Sequence, residues 1–331
     1  TKPITSIALM TLYEKGMFQL DDPVSEYIPS FKNLGVYQQG NMGDFITTPL
    51  EREITIRDLL THQSGLTYGH TERTNVDHAY RTMGIDRESQ QSLSTFVESL
   101  STIPIEFSPG TAWNYSVSTD VCGYLIEVIS GKTLDVFFQN EIFDPLQMSD
   151  TSFHVPPEKI SRFASCYSYQ QSNSLTLVDD SISGTFISKP KVFSGGGGLV
   201  STLDDYISFC EMILNGGSLN DHMIISRKTL DLMASNHLTN GTDLKSCAYG
   251  RWSETSYTGV GFGLGFSVLL NPAASQVSGN VGELAWGGAA STAFWIDPVE
   301  NLAVVFLTQL RPSSQYNIRR ELRTLVYSAI D

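Results

Sequence analysis

Apolar residues recur at helical spacing from the start of the chain, at Ile4, Ile7, Ala8 and Leu12, and Gly16 stops the run. Proline is tolerated in a helix only in its first turn, where its missing N–H has no partner in any case. Pro3 therefore places the start of this helix at or just before Thr1, with Lys2 in the first turn. The stretch TIRDLLTHQSGL, Thr55 to Leu66, predicts a capped helix ending at Ser64-Gly65. STDVCGYLIEVISGKTLDVFFQNEIFDPLQM predicts two helices broken at Ser130-Gly131, followed by irregular polar sequence to about Pro190. FSGGGGLVSTLDDYISFCEMILNGG reads as a glycine-rich loop, a cap at Ser201 or Thr202, and a helix ending at Gly216-Gly217.

The period changes in the last third. GFGLGFSVLL, STAFWI and NLAVVFLTQ are β-rich runs, the last two joined by a hairpin-like turn at Asp297-Pro298-Val299-Glu300. A final helix is predicted from about Ser313 to Ser328. The pattern implies an α/β (α+β) architecture, an antiparallel sheet flanked by helices with an inserted helical subdomain. Residues of approximately 20–190 would form the helical subdomain, and 1–19 plus 191–331 the sheet-and-helix subdomain of a single unit.

Composition narrows the function. The 331 residues, 41% apolar, suffice for one large core. A net charge of −14 argues against a nucleic-acid partner, which demands a basic surface. No run of about 18 or more apolar residues predicts a membrane span. The four cysteines, Cys122, Cys166, Cys210 and Cys247, form no CxxC pair and are expected as free thiols. The histidines show no HExxH or HxH spacing, so no metal is expected.

Several tempting motifs carry little. Gly195 to Gly198 lacks the Gly-Lys-Ser/Thr ending of a phosphate loop. Gly-x-Ser-x-Gly is absent. Ser188-Lys189-Pro190-Lys191 has the Ser-x-x-Lys spacing, but Pro190 disfavours the α region for Lys189. His62 in THQSGL reads as structural. Lys2 is more suggestive. A residue three positions before it would share its helix face, about 5–6 Å away, at the positive end of the helix dipole. That is a good setting for an oxygen nucleophile paired with a lysine.

Six stretches together resemble the family VIII carboxylesterases, serine esterases of the class C β-lactamase and penicillin-binding-protein superfamily. They are TKPITSIALMTLYEKGMFQLDDPVSEYIPSF, RDLLTHQSGLTYG, FSPGTAWNYSVSTDVCGYLIEVISG, FDPLQMSDTSFHV, FSGGGGLVSTLDDYISFC and AWGGAASTAFWIDPVENLAVVFLTQLRPSS. The resemblance covers nearly the whole chain and implies the β-lactamase/transpeptidase-like fold. The family carries Ser-x-Thr-Lys-Pro where this chain reads Thr1-Lys2-Pro3. It therefore implies a nucleophilic serine two residues before Thr1, in an upstream segment of the same polypeptide. That segment would also supply further strands to the sheet holding Ser291 to Ile296 and Leu302 to Thr308. Lys2 would take the serine's proton, its own pKa lowered by desolvation.

Tyr115 in WNYSVST matches the tyrosine that shares protons with that lysine and serine. A tyrosine is a poor base at neutral pH unless a cation stabilises its phenolate, and Lys2 would be that cation. Trp286, Gly287 and Gly288 match the third motif, where β-lactamases have Lys-Thr-Gly. Trp286 cannot hold a carboxylate as that lysine does, but it can wall an ester. The glycines would admit the substrate closely. The backbone N–H of Ala289 matches an oxyanion-hole donor. Val117 stands where β-lactamases often have Asn, which again favours an ester.

The implied function is a serine carboxylesterase that hydrolyses small, short-acyl esters through an acyl-enzyme, without cofactor or metal. The rivals are a β-lactam or D-amino-acid peptide hydrolase, a non-catalytic β-lactam-binding or scaffold protein, and an enzyme using Thr1 as an N-terminal nucleophile.

Overall fold

The computed structural model describes residues 1–85, 92–170, 174–249 and 258–330. Its first helix, Lys2–Glu14, begins where Pro3 requires, and the Thr5 N–H closes onto the Thr1 carbonyl at 2.9 Å. Every side chain from Lys2 to Leu12 is buried. A helix enclosed all round has no need of a polar stripe, which is why this one carries so few charges. It packs against the helix Ser118–Ser130. That second helix stops at Gly131, whose φ of 69° is the left-handed C-terminal cap that glycine adopts readily.

A five-stranded antiparallel sheet forms the other half of the core. Its order is Leu302–Phe306, Ala293–Asp297, Leu284–Gly287, Ser267–Leu269, Val260–Phe262. The hairpin read at Asp297-Pro298-Val299-Glu300 is present, with Asp297 opposite Leu302. The Asp297 carboxylate shapes the turn by accepting from the N–H groups of Val299 (2.9 Å) and Glu300 (3.2 Å). Leu302–Phe306 is an outer strand of this sheet among the described residues.

Helix Leu203–Leu214, capped by the Thr202 hydroxyl, lies against that outer strand. Helix Ile318–Tyr327 is tied to the sheet by its polar groups. Tyr327 donates to both Glu283 and Asp297 at 2.7 Å, and Arg323 pairs with Glu283.

Three sequence expectations need correction. The helix expected over Thr55 to Leu66 is only Ile56–Leu60. His62 takes φ 57°, a left-handed value that no helix continues through. The stretch expected to be irregular before Pro190 contains a hairpin, Cys166–Tyr169 with Leu175–Asp179. The short strand Leu310–Arg311 joins that hairpin in parallel, in a sheet separate from the antiparallel one. The final helix starts at Ile318 rather than near Ser313. The cysteines are free, and all but the half-buried Cys247 are buried. Among the described residues no helix is long and apolar enough to cross a membrane.

Candidate active site

Lys2 projects from the first turn of its helix and is only 8% exposed. A charged group so enclosed must be compensated by specific partners. Its ammonium donates to the Gly196 carbonyl at 2.5 Å and shares a hydrogen bond with Tyr115. It also stands 4.6 Å from the Tyr115 ring centroid and 5.5 Å from that of Tyr68. These distances lie within cation–π range.

Tyr115 is held by its neighbours in WNYS. The Trp113 N–H donates to Cys247 O at 2.8 Å and the Asn114 N–H to His62 O at 2.9 Å. The buried Asn114 side chain donates to Leu66 O at 2.8 Å and to Glu106 at 3.0 Å, and accepts from Arg73. Both edges of this short segment are therefore stitched down, and Tyr115 between them has little freedom to move away from Lys2.

Burial lowers the Lys2 pKa, while the neighbouring Tyr115, Tyr68 and Asp120 raise it, and the net direction is upward. That direction is opposite to the depressed pKa expected from desolvation alone. Burial pushes the Tyr68 hydroxyl up, against the pull of Lys2. His62 is driven well below the ordinary imidazole range, first by burial and then by the Lys2 charge. Its Nδ1 lies 3.3 Å from the Ser116 hydroxyl, and its ring packs 5.0 Å from Tyr115 and 5.6 Å from Phe262. It is a neutral buttress behind the tyrosine.

Trp286 closes the opposite side, with its ring 5.5 Å from Tyr115 and edge-on to Phe262 at 5.3 Å. The glycines after it also meet neighbouring side chains closely. A Cβ on Gly287 would lie 2.5 Å from the Arg319 guanidinium, and one on Gly288 would overlap the Thr292 hydroxyl. A side chain at either position would therefore have to displace the Arg319 guanidinium or the Thr292 hydroxyl. Arg319 donates to the carbonyls of Gly288 (2.8 Å) and Thr292 (2.9 Å), pinning the turn that carries the exposed Ala289.

Lys2, Tyr68, Tyr115, Trp286, Gly287, Gly288 and Ala289 all line one cleft of about 2740 Å³. Among the described residues no cluster of His, Cys, Asp or Glu is suited to a metal ion.

The sequence profile described as Beta-lactamase matches residues 1–328. The chain belongs to the beta-lactamase family. Relatives within reach of this family include esterases. Esterase EstB of Burkholderia gladioli is 28% identical over 326 residues, covering 93% of this chain and 75% of that protein. Lovastatin esterase of Penicillium rubens is 29% identical over 318 residues, covering 92% and 76%. Among solved structures, EstCE1, described as a hydrolase with promiscuous acyltransferase activity, matches with a TM-score of 0.80 at 24% identity. That match covers 98% of this chain and 82% of EstCE1, and it shows the fold. The chain is thus a beta-lactamase-fold relative of esterases, in keeping with its resemblance to family VIII carboxylesterases.

Two residues at this site escaped the sequence reading. Tyr68 follows the SGL turn with no pattern to single it out. Asp120 had a signal, being an acidic residue in the buried first turn of the helix STDVCGYLIEVIS, ahead of its apolar run.

Proposed function

We propose that this chain is a serine hydrolase cleaving neutral, short-acyl carboxylic esters through an acyl-enzyme. Lys2 and Tyr115 move the protons, and the Ala289 N–H stabilises the oxyanion. The observation that carries this reading is the meeting of Lys2 and Tyr115, remote in sequence, at a cleft that Trp286 and Ala289 also line.

The serine that the resemblance expects attacks the acyl carbon, and its proton passes to Tyr115. Tyr115 accepts it as the phenolate, the form that the adjacent Lys2 cation favours, and becomes a neutral phenol. Negative charge grows on the carbonyl oxygen and is met by the backbone donor. Collapse expels the alcohol, which recovers the proton. The same pair then deprotonates a water, which attacks the acyl-enzyme and releases the acid. An alcohol in place of that water would give acyl transfer.

Trp286 decides between esters and β-lactams in this reading. It places an apolar ring where a carboxylate-bearing drug would need a cation. The test is reaction with a fluorophosphonate, with the adduct mapped by mass spectrometry, alongside turnover of p-nitrophenyl butyrate and nitrocefin. One labelled serine and a clear preference for the butyrate are expected. An unlabelled protein, or nitrocefin cleaved with the higher kcat/KM, overturns the proposal.

A further inference from the structure

We infer that Asp120 is a positioning residue for the proton-transfer pair: its carboxylate holds the Gly195–Gly198 loop in the form that receives Lys2, and its negative charge balances that cation. This rests on the role given to Lys2 above. Asp120 is 5% exposed, in the first turn of helix Ser118–Ser130. Its carboxylate accepts from the Ser194 hydroxyl and, at 3.0 Å, from the Gly196 N–H. The carbonyl of that same Gly196 accepts from the Lys2 ammonium. A single residue thus joins the anion to the cation, with its N–H turned to one and its C=O to the other.

The loop grips the first turn of the Lys2 helix at two further points. The Gly195 carbonyl accepts from the Thr5 hydroxyl at 2.7 Å, and the Leu199 N–H donates to the Thr1 hydroxyl at 3.1 Å. Close approach explains the glycines. A Cβ on Gly196 would overlap the Asp120 carboxylate, and one on Gly195 would lie 2.5 Å from Thr119 O. The run that mimics a phosphate loop in sequence is instead shaped to lie against the head of the Asp120 helix.

The groups that face Lys2 are the phenols of Tyr115 and Tyr68, the Asp120 carboxylate, and the imidazoles of His62 and His70. Asp120 is the carboxylate among them. An opposite charge near a titrating group commonly moves it by about 1–3 pH units.

The test is Asp120→Asn in the full polypeptide. It keeps the shape and one acceptor oxygen but removes the charge. Lys2 is followed by NMR of lysine labelled at Cε, identified by its loss in Lys2→Arg, and ester hydrolysis is measured across pH. The Lys2 signal of Asp120→Asn is expected to titrate at least about one unit earlier than in the wild type. The corresponding limb of the pH–rate profile should shift with it, and kcat should fall by about tenfold or more. Asp120→Glu, which restores the charge, should return the Lys2 titration most of the way.

An unmoved Lys2 titration in Asp120→Asn, with kcat reduced evenly at every pH, makes Asp120 merely structural and overturns the inference. If Asp120→Asn does not fold, Asp120→Glu and Ser194→Ala decide it. Both retain the charge, so a Lys2 titration that drops in both as far as one unit refutes the assignment. Because the titration is read without turnover, a protein that hydrolyses no ester refutes the proposed function separately.

Discussion

Replacing His62 with asparagine isolates one buried titratable group and predicts how stability responds to acid. His62 is 2% exposed and its pKa lies well below the ordinary value, through burial first and the Lys2 charge second. The unfolded chain takes up a proton at this imidazole near pH 6.5, and the folded chain does not. Between those two pKa values the unfolded state binds more protons. The stability is therefore present above the unfolded pKa and is lost as pH falls toward the folded one.

The slope approaches about 1.4 kcal/mol per pH unit, so the loss between pH 7 and 5 approaches about 2 kcal/mol. For a chain of this length that corresponds to a melting temperature lower by about 3 °C. Other groups also titrate in the window. His70 and His237 are lowered chiefly by burial and act in the same sense, while Glu106 and Glu283 are raised chiefly by burial and act in the opposite one. The informative quantity is therefore the difference between wild type and variant.

Asparagine tolerates the left-handed φ of 57° at this position and does not titrate. Its smaller volume costs a pH-independent amount, about 1–3 kcal/mol. Thermal melts at pH 7, 6 and 5 should show the two curves converging as the pH falls. Parallel curves would mean that His62 is already charged in the folded protein, and that a neutral buttress behind Tyr115 is the wrong description.

Three further outcomes are expected. Tyr115→Phe should lower kcat for a butyrate ester by about 10²–10⁴-fold with the fold intact; a variant keeping more than a third of wild-type turnover would make the hydroxyl dispensable. Gly287→Ala should force Arg319 out of its place over the Gly288 and Thr292 carbonyls, lowering stability by about 1–3 kcal/mol, measured by denaturant unfolding. An unchanged midpoint there would show that the guanidinium yields freely. Tyr327→Phe removes the donor shared by Glu283 and Asp297 and should cost about 1–3 kcal/mol, with amide exchange accelerated in the last helix; unaltered exchange would count against that anchor.

The parts legible in the sequence are those governed by local rules. Pro3 fixes a helix start, Gly131 a helix end, and Asp297 a turn, because each acts through its own backbone geometry. The hairpin Cys166–Tyr169 with Leu175–Asp179 was not legible. Its apolar residues stand largely exposed, Leu175 at 60% and Leu177 at 48%, so no buried face impresses a period on the sequence. Helix Ile56–Leu60 ends early because His62 and Gln63 turn inward, the Gln63 amide donating to Thr61 and to His237 O across the fold. Lys2 and Tyr115 could be named from motifs, but the net effect on the lysine could not. That effect depends on Tyr68, Asp120 and Gly196, which only the folded chain brings to it.

The way Lys2 is compensated bears on what it can do. A lysine bonded directly to a carboxylate has much of its field cancelled at once. At an effective dielectric of 20, two unit charges 4 Å apart interact by about 4 kcal/mol, and the energy halves as the distance doubles. Here the carboxylate reaches the ammonium through the Gly196 peptide, N–H on one side and carbonyl on the other. The neutral carbonyl and the phenols satisfy the ammonium's donors, while Asp120 balances its charge from a second layer. The cation is therefore stable enough to be buried yet keeps most of its field for a neighbouring oxygen on which negative charge can develop, that of Tyr115. A shift of the carboxylate into direct contact would strengthen the ion pair and weaken that effect. Holding Asp120 back by Ser194 and by a loop with no room for side chains is consistent with a lysine kept for proton transfer rather than for structure alone.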